Sequence, residues 1–317
     1  MFEYLITRPL GWIIEQIYSL VANYGFSIII FTIIVKLILL PLNVKSQKAM
    51  RKQQKVQPIL QELQKKYAND QEKLQREMMK LYKENNISMT GGCLPMLIQM
   101  PILVGLYQVI QKPLSYLIGV DWMTQEVIDK VYMLRDAMAP HIGNLATQTE
   151  EMLAKMSQIQ LSQWAGIING PQDPWVINFN FLGLNLANTP SAALNYIMRL
   201  DFSNWGIIAL LIIPVLAVVS QLLTTKLTQV QSGQTQNKDA DDKSAQMNKT
   251  MMLMMPIMTG FFTFTLPSGI GIYWIISSVV QLIQQLALNK YFESKGDDIE
   301  IKAPERKQLH GKKSKKR

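Results

Sequence analysis

The chain has 317 residues, 48% hydrophobic and only 17% charged, with 32 Lys/Arg against 23 Asp/Glu. A single cysteine, Cys93, excludes an intramolecular disulfide and a cysteine-based metal cluster, and the two histidines, His141 and His310, lie in different segments without ligand spacing. With no phosphate-binding GxxxxGK loop either, the sequence supports neither a metal enzyme nor a nucleophilic one, and no cofactor is expected.

The apolar residues fall in blocks of roughly 20, the length that crosses a ~30 Å hydrocarbon layer at ~1.5 Å of helix rise per residue. Five blocks qualify, 25–44, 92–111, 205–225, 250–266 and 269–289. The expected fold is an all-α polytopic membrane protein with an amphipathic N-terminal helix and a cytoplasmic helical hairpin.

In chain order, residues 1–24 carry neither a basic leader nor a small-residue cleavage site, so they read as an external helix lying in the membrane interface. The first span, 25–44, holds one ionisable side chain, Lys36, near its middle. Its burial costs ~2.5–3.5 kcal/mol on insertion scales. Lys36 therefore either faces a protein interior or hydrated cavity, or snorkels to the headgroups on its long stem. Thr32 lies four residues before it and Asn43 seven after, on one helical face.

Segment 45–91 follows, and the eleven Lys/Arg between 44 and 91 make it cytoplasmic. Val56, Leu60, Leu63 and Tyr67, then Leu74, Met78 and Leu81, repeat with helical spacing. Asn69-Asp70 separates the two runs and can cap the second, which gives an antiparallel pair of helices, either docking a partner or simply solvated. After the second span, the external segment 112–204 reverses the sign: from 113 it has four basic residues against eight acids. It shows helical patches at 125–138 and 150–164 and a Gly/Pro/Asn-rich stretch from Asn169 to Pro190, where Trp175, Phe179, Phe181 and Leu184 are expected at the headgroups.

The third span leads into a polar cytoplasmic loop, 226–249, with four lysines. The fourth and fifth spans form a hairpin through Leu266-Pro267-Ser268-Gly269, and the tail 290–317 carries ten basic residues. Threading these places the N-terminus outside and the tail inside, with every basic loop on the cytoplasmic side.

Polar residues recur inside the spans: Thr32, Gln99, Gln108, Ser220, Gln221, Thr224, Ser278, Gln281 and Gln285. Each fits a helix-to-helix hydrogen bond worth ~0.6 kcal/mol, and with Lys36 they also permit a hydrophilic groove. No acid falls within the five spans, which weighs against a proton-coupled transporter.

The strings YGFSIIIFTIIVKLILLPLNVKSQKAM, QPILQELQKKYANDQEKLQREMMKLYKENNISMTGGCLPMLIQMPILVGLYQVI and LPSGIGIYWIISSVVQLIQQ resemble the YidC/Oxa/Alb family of membrane protein insertases. The resemblance implies a five-helix core whose groove opens to the cytoplasm and lipid and is closed outside. Lys36 stands where the family's groove carries a positive residue, usually arginine, and lysine lacks the planar fork of five donors. The groove expected on this basis comprises Lys36, Thr32, Gln99, Ser220, Gln221, Thr224, Trp274, Ser278 and Gln281, with Tyr273 the alternative aromatic.

The resemblance further implies a hairpin (45–86) that receives or passes on substrates and a basic tail, Lys312, Lys313, Lys315, Lys316 and Arg317, that contacts ribosomes. The implied partners are nascent membrane proteins, the Sec translocon, the signal recognition particle receptor, the ribosome and membrane lipids, and the implied location is a bacterial plasma membrane. Without a large external domain or a cysteine near the start, the chain is expected to be a short form without a lipoprotein anchor. A small-solute transporter or channel and a non-catalytic translocon tether are the rival readings.

Overall fold

A computed structural model describes residues 3–87, 94–121, 124–142, 157–231 and 243–294, with backbone alone at 54, 94–99, 139–142, 228–231 and 243–253. The chain forms two compact units, one of Met1–Leu37, Gln99–Thr224 and Ala240–Gln281, the other of Ile38–Ile98, Thr225–Asp239 and Leu282–Arg317.

The described residues are mostly helical. A π-helical turn, Glu3–Thr7, leads into α1 (Arg8–Val21), α2 (Tyr24–Ile38), α3 (Leu40–Lys66), α4 (Gln71–Glu84), α5 (Leu94–Gln111), α6 (Pro113–Leu117), α7 (Gln125–Ile142) and α8 (Gln158–Asn169). Strands β1 (Asn180–Phe181) and β2 (Leu184–Asn185) then pair antiparallel. After them come α9 (Ala192–Met198), α10 (Trp205–Ala209), α11 (Ile212–Gln231), α12 (Lys243–Thr265) and α13 (Ser268–Ser294).

Trp205–Leu227 and Ser268–Ser294 are long and apolar enough to cross a membrane, and α2 with α3 adds a third span if the broken pair counts as one. Met100–Gln111 and Met254–Thr265 are apolar but shorter. Two of the expected spans are interrupted, and proline accounts for both. Pro41 occupies the first turn of α3, where its missing N–H costs nothing, so residues 25–44 divide into α2 and the start of α3. Pro214 has no N–H for the Leu210 carbonyl; around it Leu210, Leu211 and Ile213 donate to carbonyls three residues back, and the helix breaks between α10 and α11.

In the first unit, α1 is amphipathic, burying Gly11, Ile14 and Ile17 while Trp12 and Leu20 stay exposed. Its buried stripe packs on α6, where Gly11 leaves room for the Tyr116 ring. The aromatic residues expected at the headgroups turn inward instead: Trp175, Phe179 and Phe181 are buried and Leu184 is half-buried. Alternation explains the correction, because in an extended stretch every second side chain points to one face, and Trp175, Ile177, Phe179 and Phe181 all share the buried one.

This stretch ties helix ends together. The Tyr24 amide donates to the Asn178 carbonyl at 3.0 Å, and the Tyr24 ring meets Phe179 edge-on at 5.0 Å. The Tyr24 hydroxyl donates to the Ile110 carbonyl on α5 at 3.2 Å. Farther along, the amides of Ser268 and Gly269 donate to the carbonyls of Asn188 and Leu186. Gly25 is needed at this joint, since a Cβ there would stand 2.5 Å from the Phe181 ring. Gly25→Val is expected to cost about 1–3 kcal/mol through overpacking, read as a lower melting temperature in detergent.

In the second unit, Val56, Leu60 and Leu63 of α3 pack with Leu74 and Leu81 of α4 and with Ile87, and Tyr67 and Met78 lie against the cluster. The helical periodicities of the sequence thus meet in one core. The Asp70 carboxylate accepts from the Lys73 amide at 3.0 Å and caps α4. Asp70→Ala is expected to destabilise the hairpin by about 1 kcal/mol, measured by its denaturant midpoint.

Candidate functional site: a buried lysine and its polar neighbours

Lys36 sits in the last turn of α2, two residues before its end, with only 6% of its surface exposed. Protein atoms cover it, which favours the interior over the snorkelled placement. Its Nζ donates to Oε1 of Gln281 on α13 at 3.5 Å, a pairing across 245 residues of sequence. A lysine ammonium in an apolar setting needs such an acceptor, because an uncompensated charge there is costly.

One turn before Gln281, the Ser278 hydroxyl donates to Oε1 of Gln221 on α11 at 3.2 Å. The Thr224 hydroxyl donates to the Ser220 carbonyl at 2.9 Å and reaches the Ser278 carbonyl at 3.5 Å. Ser278 and Gln281 are three residues apart, so one face of α13 carries both polar contacts. The structure therefore places two polar groups, Lys36 with Gln281 and Ser278 with Gln221 and Thr224, one turn apart along α13 within the first unit.

The described side chains of the other expected site residues turn elsewhere. Thr32 is buried one turn before Lys36, but its hydroxyl donates to the Ile28 carbonyl of its own helix at 2.6 Å. Ser220 likewise donates to the Ala217 carbonyl. Gln108 accepts from the Thr7 hydroxyl at 3.2 Å. Of the two aromatic candidates, Tyr273 is buried, whereas Trp274 is half-buried and stacks on Phe262 with centroids 6.3 Å apart. Gln99 lies on α5, and its side chain is outside the described residues, as are Lys312, Lys313, Lys315, Lys316 and Arg317.

Two contacts in the second unit were not legible as specific ones. Asn43 donates to Gln284 at 3.3 Å, and Arg51 donates to Oδ1 of Asn289 at 2.9 Å while its guanidinium lies 4.7 Å from the Phe292 ring centroid. In the sequence Arg51 is one of eleven basic residues with nothing to distinguish it. Only the planar fork, which stacks and donates at once, separates it from its lysine neighbours.

Chemically, the site offers a positive charge, amide and hydroxyl groups in an apolar frame. Among the described residues no group of three or more His, Cys, Asp or Glu could hold a metal ion. Such an arrangement can attract and solvate a polar or anionic segment.

Comparison with known proteins covers most of the chain. A sequence model of the family described as 60Kd inner membrane protein matches residues 16–295. The chain is 33% identical over 269 residues to a membrane protein insertase YidC of Clostridium perfringens, covering 85% of this chain and 79% of that one. It is 28% identical over 310 residues to YidC 2 of Listeria innocua, covering 95% and 77%. Against YidC of Nitratidesulfovibrio vulgaris it is 29% identical over 281 residues, which is 89% of this chain and only 37% of that longer protein. The matched region contains the buried lysine of α2, the helical hairpin and all of α13, and the chain belongs to the 60Kd inner membrane protein family, that of the YidC insertases.

Proposed function

We propose that this chain is a membrane protein insertase that moves short hydrophilic segments of nascent membrane proteins into and across the bilayer. The observation that carries the reading is the covered, hydrogen-bonded Lys36 in an otherwise apolar helix, joined along α13 to Gln281, Ser278, Gln221 and Thr224. These groups form a hydrophilic groove. A passing polar segment exchanges bulk water for them, which lowers the barrier at the depth where it is highest.

Five segments span the membrane, 25–44, 92–111, 205–225, 250–266 and 269–289. The N-terminus faces outward, and the basic hairpin and tail face a bacterial cytoplasm, following the positive-inside bias of the loops. Apolar segments then leave sideways into lipid, driven by burial at about 25 cal/mol per Å². Non-covalent partitioning supplies the driving force. The hairpin receives substrates, the tail residues Lys312 to Arg317 contact ribosomes, and the Sec translocon and the signal recognition particle receptor act as partners.

The test is reconstitution of the purified protein in liposomes during in vitro synthesis of a single-span substrate with an acidic external tail. Protease protection of that tail above the level of empty liposomes is expected. Equal protection with and without the protein, across several substrates, would remove the autonomous insertase reading and leave a translocon tether.

A further inference from the structure

Two leucines occupy backbone positions that disfavour them. The β1–β2 hairpin closes through Leu182-Gly183, and both residues have positive φ, 49° and 81°. That is a type I′ turn, in which Asn or Gly is favoured at the first position because its backbone is left-handed. Helix α9 ends in a Schellman motif: the Leu200 amide donates to the Ile197 carbonyl and the Asp201 amide to the Tyr196 carbonyl. Leu200, with φ 53°, stands where glycine is the usual choice.

Both side chains are also exposed, Leu182 to 82% and Leu200 to 77%. Neither packing nor backbone preference accounts for a leucine at either site. Met198, Phe202 and Trp205 are exposed beside them, and the Phe202 and Trp205 rings lie 6.1 Å apart. The hairpin turn adjoins this group, because the Gly183 carbonyl is 3.9 Å from where a Cβ on Gly206 would stand. Helix α9 packs against α10 at the same end.

Trp205 begins the apolar stretch Trp205–Leu227. Lipid surrounds such a span, so its first turn lies where hydrocarbon gives way to headgroups, the depth that suits Trp and Phe rings. The exposed patch is continuous with that belt. Arg199, also exposed, adds a charge suited to lipid phosphate.

We propose that Leu182 and Leu200, with Phe202 and Trp205, form a lipid-contacting rim that seats the β-hairpin and the end of α9 in the bilayer interface at the Trp205 end of the span. This rests on the membrane-spanning reading of Trp205–Leu227 and adds an anchor formed by two strained turns. Burial of the leucines in lipid offsets a conformation that would be disfavoured in water.

Single-cysteine proteins on a Cys93→Ser background, carrying Leu182→Cys, Leu200→Cys, Val215→Cys or Gln172→Cys, would be labelled with an environment-sensitive fluorophore. They are then reconstituted in phosphatidylcholine–phosphatidylglycerol vesicles. Nitroxides on lipid headgroups are expected to quench the labels at 182 and 200 about twofold more than the label at exposed Gln172, and aqueous iodide to quench them correspondingly less. A label at Val215, 59% exposed in mid-span, reports the parent reading through deep acyl-chain nitroxides.

If 215 is quenched from lipid while 182 and 200 are open to iodide, the rim is overturned and the span stands. Labels at 182 and 200 shielded from both quenchers indicate a protein cover, such as a second copy, and also overturn it. Failure at 215 overturns both readings. The double variant Leu182→Asn/Leu200→Gly suits both turns better and so keeps the fold. In it, headgroup quenching of a label at Phe202→Cys is expected to fall by about half, and unchanged quenching would show that the leucines do not seat the segment.

Discussion

Lys36→Ala is expected to cut insertion of a substrate with an acidic external tail about tenfold, equivalent to ~1.4 kcal/mol on the translocation barrier. Two unit charges 4 Å apart attract by about 4 kcal/mol at an effective dielectric of 20, and hydration of the proposed groove leaves a fraction of that. Lys36→Arg keeps the charge and is expected to retain most activity, while a substrate with a neutral tail should respond weakly to either change. The companion measurement is thermal stability in detergent. A buried lysine is costly to the fold, so Lys36→Met, of similar length and apolar, is expected to melt at or above the wild-type temperature while insertion falls. Lower activity with unchanged or raised stability separates a working charge from a structural one. Equal insertion of the acidic substrate by wild type and Lys36→Ala would sink the role assigned to the charge.

What the sequence made legible follows the range of the interactions. Local periodicity found the hairpin, because Val56, Leu60, Leu63, Leu74 and Leu81 repeat on one face of each helix and meet in one core. A cap at Asn69-Asp70 was readable for the same reason, and Asp70 is the residue that supplies it, acting on the amide three residues ahead. Lys36 stood out as a charge in an apolar run. Its partner did not, because Gln281 lies 245 residues away and is one of several glutamines in that helix.

The breaks at Leu39 and near Leu210 carried a signal that hydropathy averages away: Pro41 and Pro214 each remove a donor within an apolar run. The aromatics of 175–181 were misplaced because aromatic rings near a membrane invite an interfacial reading. Their two-residue alternation, with Asn178 and Asn180 on the opposite face, was the better guide, and it pointed to a half-buried extended stretch.

The same stretch carries the other large expected effect. Asp173 precedes it, with its side chain only 6% exposed, and is held at both oxygens. Oδ1 accepts from Lys130 Nζ at 2.8 Å and from the Trp175 amide at 2.8 Å, and Oδ2 accepts from Asn169 at 2.7 Å. Lys130 also lies 4.6 Å from the Trp175 ring centroid. Asp173→Ala removes the acceptor for all three donors and leaves a largely covered ammonium facing an aromatic ring. About 3 kcal/mol of destabilisation is expected, the lower end for a broken buried pair.

Burial alone raises the Asp173 carboxyl, but the hydrogen bonds from Lys130, Trp175 and Asn169 outweigh it and hold it below its ordinary 3.8. A group depressed on folding contributes stability that is full above its unfolded value and is lost as pH falls through its folded value. The wild type should therefore hold this segment at pH 5 to 7 and lose part of the stabilisation below about pH 4, whereas Asp173→Asn, with no charge to lose, should start lower and show a flatter acid limb. Hydrogen exchange at the amides of Trp175 and Ile177 reads this locally, since the first is bonded to Asp173 and the second to the Ser162 hydroxyl. Parallel acid limbs in the two proteins would remove Asp173 from this role. A difference confined to these amides and to Tyr24, whose own amide bonds to Asn178, would show the carboxylate holding the strap that fixes the start of α2, the helix that carries Lys36.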